Sequence, residues 1–208
     1  MKTCRIGILN NSLGNVGSVE SALAFYDYEV RLLDAPEDFG RVDLIVLAGV
    51  GTFPAAVRVL REKGFWEPLD RWVRDLGRPL LGICLGMQLF ATEGAEGGTQ
   101  RGFGWIPGSV RPLQGGQVPH IGWDPVVPRD VPRARELFSG MRYGQFYFMH
   151  GYHFIPEDQS AVLAESPYGE GKLVTCVGRD KLLGVQFHPE KSQGDGLRLL
   201  RAAVEVLL

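Results

Sequence analysis

The first half of the chain alternates short apolar runs with longer stretches in which apolar residues recur at helical spacing. Runs typical of buried strands cover residues 5–9, 29–33, 43–48 and 79–83. Stretches typical of amphipathic helices cover residues 16–25, 54–63, 65–76 and 87–93. Strands that alternate with helices form βαβ units, so this half predicts a mostly parallel central sheet flanked by helices. Ligands of such sheets bind beyond the carboxyl ends of the strands, where the loops at 10–15, 48–53 and 84–86 are expected to meet.

The second half contains strand-like segments separated by glycine and proline. They are FGWIPGSVRPL, VPHIGWDPVV, QFYFMHGYHF and AVLAES, and KLVTCVGRDKLLGVQF at 172–187 predicts a hairpin that turns near 178–180. An apolar face over 196–208 predicts a closing helix, whereas EGAEGGTQRGFG at 93–104 is expected to be a mobile loop. No repeat or linker divides the chain. We therefore expect one flavodoxin-like α/β domain over 1–208, with a smaller antiparallel strand region in its second half.

Composition and charge exclude several classes of protein. A formal charge of −2 provides no basic surface for nucleic acid. No segment approaches the ~18 consecutive apolar residues of a membrane span, and the N-terminal apolar run is too short for a secretory signal. Three cysteines, an odd and sparse number, are typical of a reducing compartment, so we expect a cytoplasmic protein. No cysteine–histidine cluster has zinc spacing, and neither a metal nor another cofactor is expected.

Cys84 lies in GICLG, between a predicted strand and a predicted helix. Gly82 and Gly86 permit close backbone approach at such a corner, and the sharp turn lifts the thiol out of the sheet. The N–H groups at the start of the helix would favour the thiolate and donate to an oxyanion. On position alone, a buried structural cysteine is about equally well supported. Cys4 and Cys176 lie in strand-like runs without flanking glycines and are interpreted as structural.

A cysteine nucleophile needs a base, and the best candidate is His188 in GVQFHPEKS. Glu190 follows by two residues, and a carboxylate beside an imidazole selects its tautomer and stabilises its charged form. Alone, the pair would be interpreted as surface residues at a strand end; together with the cysteine corner it favours a catalytic pair. His120 and His150 lie among aromatic residues and glycines and are interpreted as structural or pocket-forming, and His153 as an ordinary histidine.

The segment LAGVGTF at 47–53 ends a predicted strand in Gly-Val-Gly before a proline-led helix. Glycine-rich backbone of this kind presents N–H donors to a developing oxyanion. An ordinary βα turn is the alternative, and it would be favoured if the segment stood alone. A phosphate-binding loop fits poorly because no Gly-Lys-Ser/Thr follows.

Together, GICLGMQLF, GVQFHPEKS and the glycine-rich loop at 49–51 resemble, in this order, the triad (class I) glutamine amidotransferases. More narrowly, VPHIGW, YFMHGY, HPEKSQGDGLRLL and GVGTF are similar to segments of the glutaminase subunits of imidazole glycerol phosphate synthases. The resemblance implies one type 1 glutamine amidotransferase domain over 1–208. Two departures from the family pattern concern loops. NNSLGN at 10–15 stands where the family often has Asp-Tyr-Gly, and Ala48 stands where proline would stiffen the oxyanion loop.

The resemblance implies that Cys84 attacks the side-chain amide of glutamine, giving a thioester and ammonia. His188 would act as base and then as acid, oriented by Glu190, and water would release glutamate. The implied oxyanion donors are the backbone N–H groups of Val50, Gly51 and Leu85. The implied glutamine-binding residues are Gln88, Glu96, Gly151 and Tyr152. Pairing of a ligand ammonium with a carboxylate such as Glu96 forms a charge-assisted hydrogen bond.

The resemblance also implies a partner, a (β/α)₈-barrel cyclase that forms a heterodimer with the glutaminase. This partner uses the ammonia to make imidazole glycerol phosphate and aminoimidazole carboxamide ribotide. The positions implied to face it are Asn15, Trp123, Tyr147 and Lys191. Core packing is the alternative for Trp123, and a solvated charge is the alternative for Lys191. The alternative functions are a glutaminase subunit of another synthase, against which PHIGW and GVGTF argue, a stand-alone γ-glutamyl cysteine hydrolase, and a non-catalytic binding module.

Overall fold

The apolar runs predicted in the first half form strands within one residue of their expected positions. The structure of the protein is a computed structural model that describes residues 4–12, 14 and 16–208. The strands of this half are β1 (Arg5–Leu9), β2 (Glu29–Leu33), β3 (Leu44–Gly49) and β4 (Leu80–Cys84). The helices are α1 (Val16–Ala24), α2 (Phe53–Glu62), α3 (Trp66–Arg74) and α4 (Leu85–Gln88).

The second half is dominated by strands, as its glycine and proline punctuation predicts. These are β5 (Glu93–Gly94), β6 (Gln100–Arg101), β7 (Gly108–Pro112), β8 (His120–Pro125), β9 (Val127–Pro128), β10 (Gln145–His150), β11 (Tyr152–Pro156), β12 (Val162–Tyr168), β13 (Gly171–Arg179) and β14 (Leu182–Val185). Two helices, α5 (Pro132–Phe138) and α6 (Gln193–Leu207), complete the chain. Short 3₁₀ turns cover Pro36–Arg41, Gln159–Ala161 and Pro189–Lys191.

A central eight-stranded sheet has the order β2-β1-β3-β4-β14-β13-β12-β9. Neighbours are parallel from β2 to β14 and antiparallel from β14 to β9. A two-stranded ribbon of β8 and β10 and a four-stranded sheet in the order β11-β7-β5-β6 accompany it. The predicted α/β architecture, with its antiparallel region in the second half, is confirmed.

Side chains of β3 show how the sheet is buried on both faces. Leu44 and Val46 belong to the hydrophobic cluster that includes residues of α1 and α6, whereas Ile45 and Leu47 belong to the cluster that includes residues of α2 and α3. Successive side chains of a strand point to opposite faces, so a strand covered on both sides is apolar throughout. This burial holds the carboxyl ends of β3 and β4 rigidly beside each other, with Gly49 opposite Cys84.

The helix predicted over 87–93 is wrong in extent, because α4 has only four residues. The chain leaves the helix at Leu89 and Phe90, whose carbonyls accept backbone N–H groups of Phe103 and Ile106. These tertiary bonds satisfy carbonyls that a longer helix would have used internally. So short a helix aligns few peptide dipoles, so the expected helix field at Cys84 is small.

The mobile loop expected over 93–104 instead contains a short hairpin. Glu93 in β5 pairs with Arg101 in β6. Phe103 then stacks between Trp66 and Trp105, with ring-centroid distances of 3.9 and 4.0 Å. This aromatic stack anchors the segment against α3.

The hairpin of β13 and β14 turns at 180–181, slightly later than the predicted 178–180, with Asp180 at a positive φ of 48°. The closing helix begins at Gln193, three residues before its predicted start. Among the described residues, no helix combines the length and the apolar character that crossing a membrane requires.

Candidate active site

Cys84 occupies a strained corner at the junction of β4 and α4. Its φ of 54° and ψ of −110° lie outside the regions that non-glycine residues ordinarily adopt. A Cβ on Gly86 would lie 1.8 Å from the carbonyl oxygen of Leu47, and a Cβ on Gly82 would lie 2.6 Å from the ring of Phe90. Both neighbours must therefore be glycine for the corner to close. The geometry is that of a nucleophile elbow with a thiol at its tip.

His188 and Glu190 flank the thiol from the loop that follows β14. His188 Nδ1 lies 2.8 Å from Glu190 Oε1, and both side chains are almost fully buried. Burial lowers the pKa of His188, but interactions with Cys84 and Glu190 outweigh this effect and raise the pKa to about 10. The ring is therefore held as a cation between two acidic groups. His188 Nε2 is buried and has no partner at hydrogen-bonding geometry among the described residues, which leaves it free to exchange a proton with a reacting group.

Gln186 is a site residue that sequence reasoning missed. It is fully buried, and its Nε2 lies 3.6 Å from the Sγ of Cys84, to which it donates a hydrogen bond. Its Oε1 accepts a hydrogen bond from Gln88 Nε2 at 3.0 Å. The available signal was a polar residue in the otherwise apolar run LLGVQF, since a buried polar group needs a partner.

A cavity of about 190 Å³ opens beside the thiol. It brings together the three residues expected to hold the oxyanion and the four expected to bind glutamine. Its lining consists of Val50, Gly51, Cys84, Leu85, Gln88, Glu96, Met149, His150, Gly151 and Tyr152. Segments from four separate parts of the chain therefore converge on one space at the carboxyl ends of the parallel strands.

The loop after β3 is held at both ends. Before it, the carbonyl of Ala48 accepts a hydrogen bond from Asn11 Nδ2 at 2.9 Å. After it, Phe53 N donates to Glu96 Oε2 at 2.7 Å, at the start of α2. Between these anchors Gly51 has a φ of 108°, which a side chain would disfavour. The two departures from the family pattern, in the 10–15 loop and at Ala48, are thus in direct contact.

Two of the expected glutamine-binding side chains bond to protein groups in this structure. Gln88 Nε2 donates to the carbonyl of Tyr152 at 2.9 Å as well as to Gln186. Glu96 Oε2 accepts the hydrogen bond from Phe53 N. The carbonyl of Gly151 accepts a hydrogen bond from Leu113 N, so the backbone at 151–152 is also fixed from within the protein.

The described residues expected to face a partner lie together on the β8–β10 ribbon and the adjoining turn. Trp123 is directly opposite Tyr147 in the ribbon, and their rings meet edge to face at 6.0 Å. Lys191 Nζ lies 5.9 Å from the centroid of the Tyr147 ring. Trp123 is 43% exposed, which excludes the alternative of core packing. Asn15 lies outside the described residues.

The remaining histidines also take defined places. His120 and His150 are buried neighbours across the β8–β10 ribbon, with His120 Nδ1 and His150 Nε2 3.1 Å apart. His150 lines the cavity. Burial lowers the pKa of His150 to about 3, so its ring is neutral. Burial also lowers the pKa of His153, which is partly exposed and does not line the cavity.

Solved structures with the same architecture include amidotransferases of several kinds. A crystal structure titled glutamine amidotransferase superposes with a TM-score of 0.76 at 21% identity, covering 97% of this chain and 98% of that chain. PurLQS from Thermotoga maritima gives a TM-score of 0.76 at 15% identity, covering 100% of both chains. At these identities the likeness concerns the fold alone.

Sequence comparison is more specific. The chain is 41% identical over 201 residues to a protein of Carboxydothermus hydrogenoformans named imidazole glycerol phosphate synthase subunit HisH, covering 96% of this chain and 98% of that protein. It is 38% identical over 203 residues to the protein of that name from Zymomonas mobilis subsp. mobilis, covering 94% and 92%. The family model described as glutamine amidotransferase class-I matches residues 8–205. The chain therefore belongs to the class-I glutamine amidotransferase family.

Proposed function

We propose that this protein hydrolyses glutamine to glutamate and ammonia and supplies the ammonia to a cyclase in histidine biosynthesis. The observation that carries the proposal is the strained thiol of Cys84 beside the buried His188–Glu190 pair. The relatives are named as subunits of imidazole glycerol phosphate synthase, which supports a cyclase as the acceptor of the ammonia.

In the reactive form the Cys84 proton is already held on His188 Nε2, so a thiolate lies beside an imidazolium. The thiolate then attacks the side-chain amide carbon of glutamine, and the carbonyl oxygen takes up negative charge. Leu85, Val50 and Gly51 line the cavity next to the thiol, and we propose that their backbone N–H groups donate to this oxyanion. The imidazolium returns its proton to the leaving nitrogen, and ammonia departs from a γ-glutamyl thioester.

Hydrolysis of the thioester repeats these roles with water. His188 removes a proton from the attacking water, and the tetrahedral intermediate collapses with return of the proton to the Cys84 sulfur. Glu190 holds the imidazole through Nδ1, so Nε2 faces the reacting atoms throughout the cycle. One glutamine and one water thus give one glutamate and one ammonia, and the thiol is regenerated.

The amino-acid end of the substrate fits the other side of the cavity. The Glu96 carboxylate retains one oxygen without a hydrogen bond from the described residues and is suited to an ammonium group. Gln88 and the backbone of Gly151 and Tyr152 complete this end. The acceptors in this region match a substrate that carries its positive charge at the end remote from the amide.

For the partner, we propose a (β/α)₈-barrel cyclase that forms a heterodimer through the ribbon of Trp123 and Tyr147, with Lys191 beside it. Asn15 is proposed for the same interface on the family resemblance alone. The exposed Trp123 and the half-buried Tyr147 next to a lysine are suited to a specific interface. The backbone supports a link to catalysis, because His188 N donates to the carbonyl of Tyr147 at 2.8 Å. We further propose that residues 1–208 act as one domain in the cytoplasm, where the three free cysteines stay reduced.

The decisive experiment measures glutamate release by the isolated chain, with and without the barrel cyclase and a phosphoribosyl ligand. We expect low activity alone, strong activation by the partner, and loss of activity in Cys84→Ala. Full activity without activation, together with glutamate release from folate-like γ-glutamyl substrates, would instead identify a stand-alone hydrolase. Recovery of a different synthase on co-purification from the native host would identify another acceptor.

A further inference from the structure

A row of hydrogen bonds through two buried histidines leads from the β8–β10 ribbon to the glutamine-binding end of the cavity. Asp124, on the same strand as Trp123, bonds through Oδ2 to His120 Nε2. His120 Nδ1 meets His150 Nε2 at 3.1 Å. His150 Nδ1 lies 2.8 Å from the carbonyl oxygen of Tyr152. Both imidazoles are more than nine-tenths buried, so the contact between them is shielded from solvent, whereas Asp124 at the end of the row is partly exposed.

The direction of donation along this row follows from counting protons. A carbonyl oxygen only accepts, so the proton of neutral His150 is on Nδ1 and points to Tyr152. His150 Nε2 then carries a lone pair and accepts the Nδ1 proton of His120. One further proton lies between His120 Nε2 and the Asp124 carboxyl group, because a hydrogen bond needs a proton between its two heavy atoms. Hydrogen bonds are therefore donated in one direction from His120 through His150 to the Tyr152 carbonyl.

The carbonyl of Tyr152 also connects this row to Cys84, through the side chains of Gln88 and Gln186. Tyr152 O also accepts a hydrogen bond from Gln88 Nε2, whose second proton goes to Gln186 Oε1. Gln186 Nε2 in turn donates to Cys84 Sγ. Because both protons of the Gln88 amide are used in this way, its Oε1 is the atom left to accept a hydrogen bond from a ligand.

We propose that Asp124, His120 and His150 are positioning residues that fix the Tyr152 carbonyl, and through it Gln88, in the orientation that binds glutamine. The proposal rests on the glutaminase function and deepens it. None of the three is required for proton transfer at the thiol, which His188 performs. Their effect is therefore expected in the affinity for glutamine more than in the rate of bond breaking.

The first test replaces His150 in two ways and measures KM and kcat for glutamine in the complex with the barrel cyclase. His150→Phe keeps the ring volume but leaves the Tyr152 carbonyl without this donor, and we expect KM to rise about tenfold. His150→Asn places an amide N–H near the former Nδ1 and should restore much of the affinity. His153→Phe, at the neighbouring half-buried histidine, is the matched control and should leave KM unchanged.

The second test uses Asp124, where substitution is tolerated more easily because the side chain is partly exposed. Asp124→Asn can donate to a neutral His120, so the row survives and KM should stay near that of the unaltered protein. Asp124→Leu removes the partner and should raise KM severalfold. NMR of the imidazole nitrogens should show the His150 proton on Nδ1 in the unaltered protein and in Asp124→Asn.

Equal KM values for His150→Phe, His150→Asn and the unaltered protein, all folded, would overturn the proposal. So would indistinguishable Asp124→Asn and Asp124→Leu variants, or an Nε2–H tautomer of His150. These results would leave the glutaminase assignment intact. A complex in which even the unaltered protein releases no glutamate would overturn both proposals.

Discussion

Gln186 donates a hydrogen bond to the sulfur of Cys84 although the two residues are 102 positions apart in the chain. Parallel pairing of β14 with β4 creates this contact, because Val185 lies opposite Ile83 and the next residues emerge side by side. His188 and Glu190 reach the thiol from the same segment. The amide therefore supplies a fixed donor to the sulfur, in addition to the charge that the imidazolium supplies.

Replacing Gln186 should slow the chemistry at the thiol. Gln186→Leu removes the donor to Cys84 and leaves one proton of Gln88 unpaired, so we expect kcat to fall about tenfold. Gln186→Glu should be more harmful, because it brings a negative charge to a forming thiolate. The measurement is kcat together with the rate of alkylation by iodoacetamide, which reports the reactivity of the thiol without glutamine.

Gln114→Leu is the matched control for Gln186, since Gln114 is exposed and does not line the cavity. Alkylation at the same rate in Gln186→Leu, Gln186→Glu and the unaltered protein would show that this hydrogen bond does not tune the sulfur.

The elevated pKa of His188, at about 10 against an ordinary value of 6.5, predicts a pH-dependent stability. Protonation is favoured by the folded state, so this contribution is fully present below about pH 6.5 and is lost as the pH rises through 10. In Glu190→Gln the imidazole loses one anionic partner, and its pKa should fall. NMR titration of the His188 ring and thermal unfolding between pH 6 and 10 check both expectations.

Glu205→Gln, at an exposed carboxylate on α6, provides the control for charge removal alone. A His188 midpoint near 6.5 in the unaltered protein would contradict the prediction, and so would a midpoint that does not change in Glu190→Gln.

Local motifs made part of this site predictable. Cys84 stands between two glycines, and Glu190 follows His188 by two residues, so each signal is contained in a few positions. The strands were equally predictable from the sequence, because a strand buried on both faces requires a continuous apolar run. Each of these features is determined by residues that are close together in the sequence.

Contacts between distant segments explain what the sequence did not reveal. The length of α4 is limited by N–H groups within residues 103–106, which bond the carbonyls of residues 89–91 just after the helix. The pairing of His120 with His150 depends on the register of β8 with β10. The role of Gln186 depends on which strand lies beside β14. None of these partners can be identified from periodicity or spacing within one segment.

The elbow should tolerate no side chain at Gly86. A Cβ there would lie 1.8 Å from a backbone oxygen, so β3 or the corner must move. We expect Gly86→Ala to lower the free energy of unfolding by about 2–4 kcal/mol and to abolish activity. Gly40→Ala is the control, since a Cβ at Gly40 meets nothing within 4 Å, and its effect should stay within about 1 kcal/mol. Denaturant unfolding of both variants measures the difference, and equal stabilities would contradict the expected clash.

Glu96 joins the substrate end of the cavity to the oxyanion loop through its bond to Phe53 N, and two substitutions separate these roles. Glu96→Gln keeps an acceptor for Phe53 but loses the charge that attracts the ligand ammonium, so KM should rise about 10- to 100-fold with kcat nearly unchanged. Glu96→Ala also releases the start of α2, so kcat should fall as well. Glu93→Gln, in the same hairpin but paired with Arg111 at the surface, should leave both constants unchanged. Steady-state kinetics in the cyclase complex distinguishes the cases: identical kcat values for Glu96→Gln and Glu96→Ala would mean that the Phe53 bond does not hold the loop for catalysis.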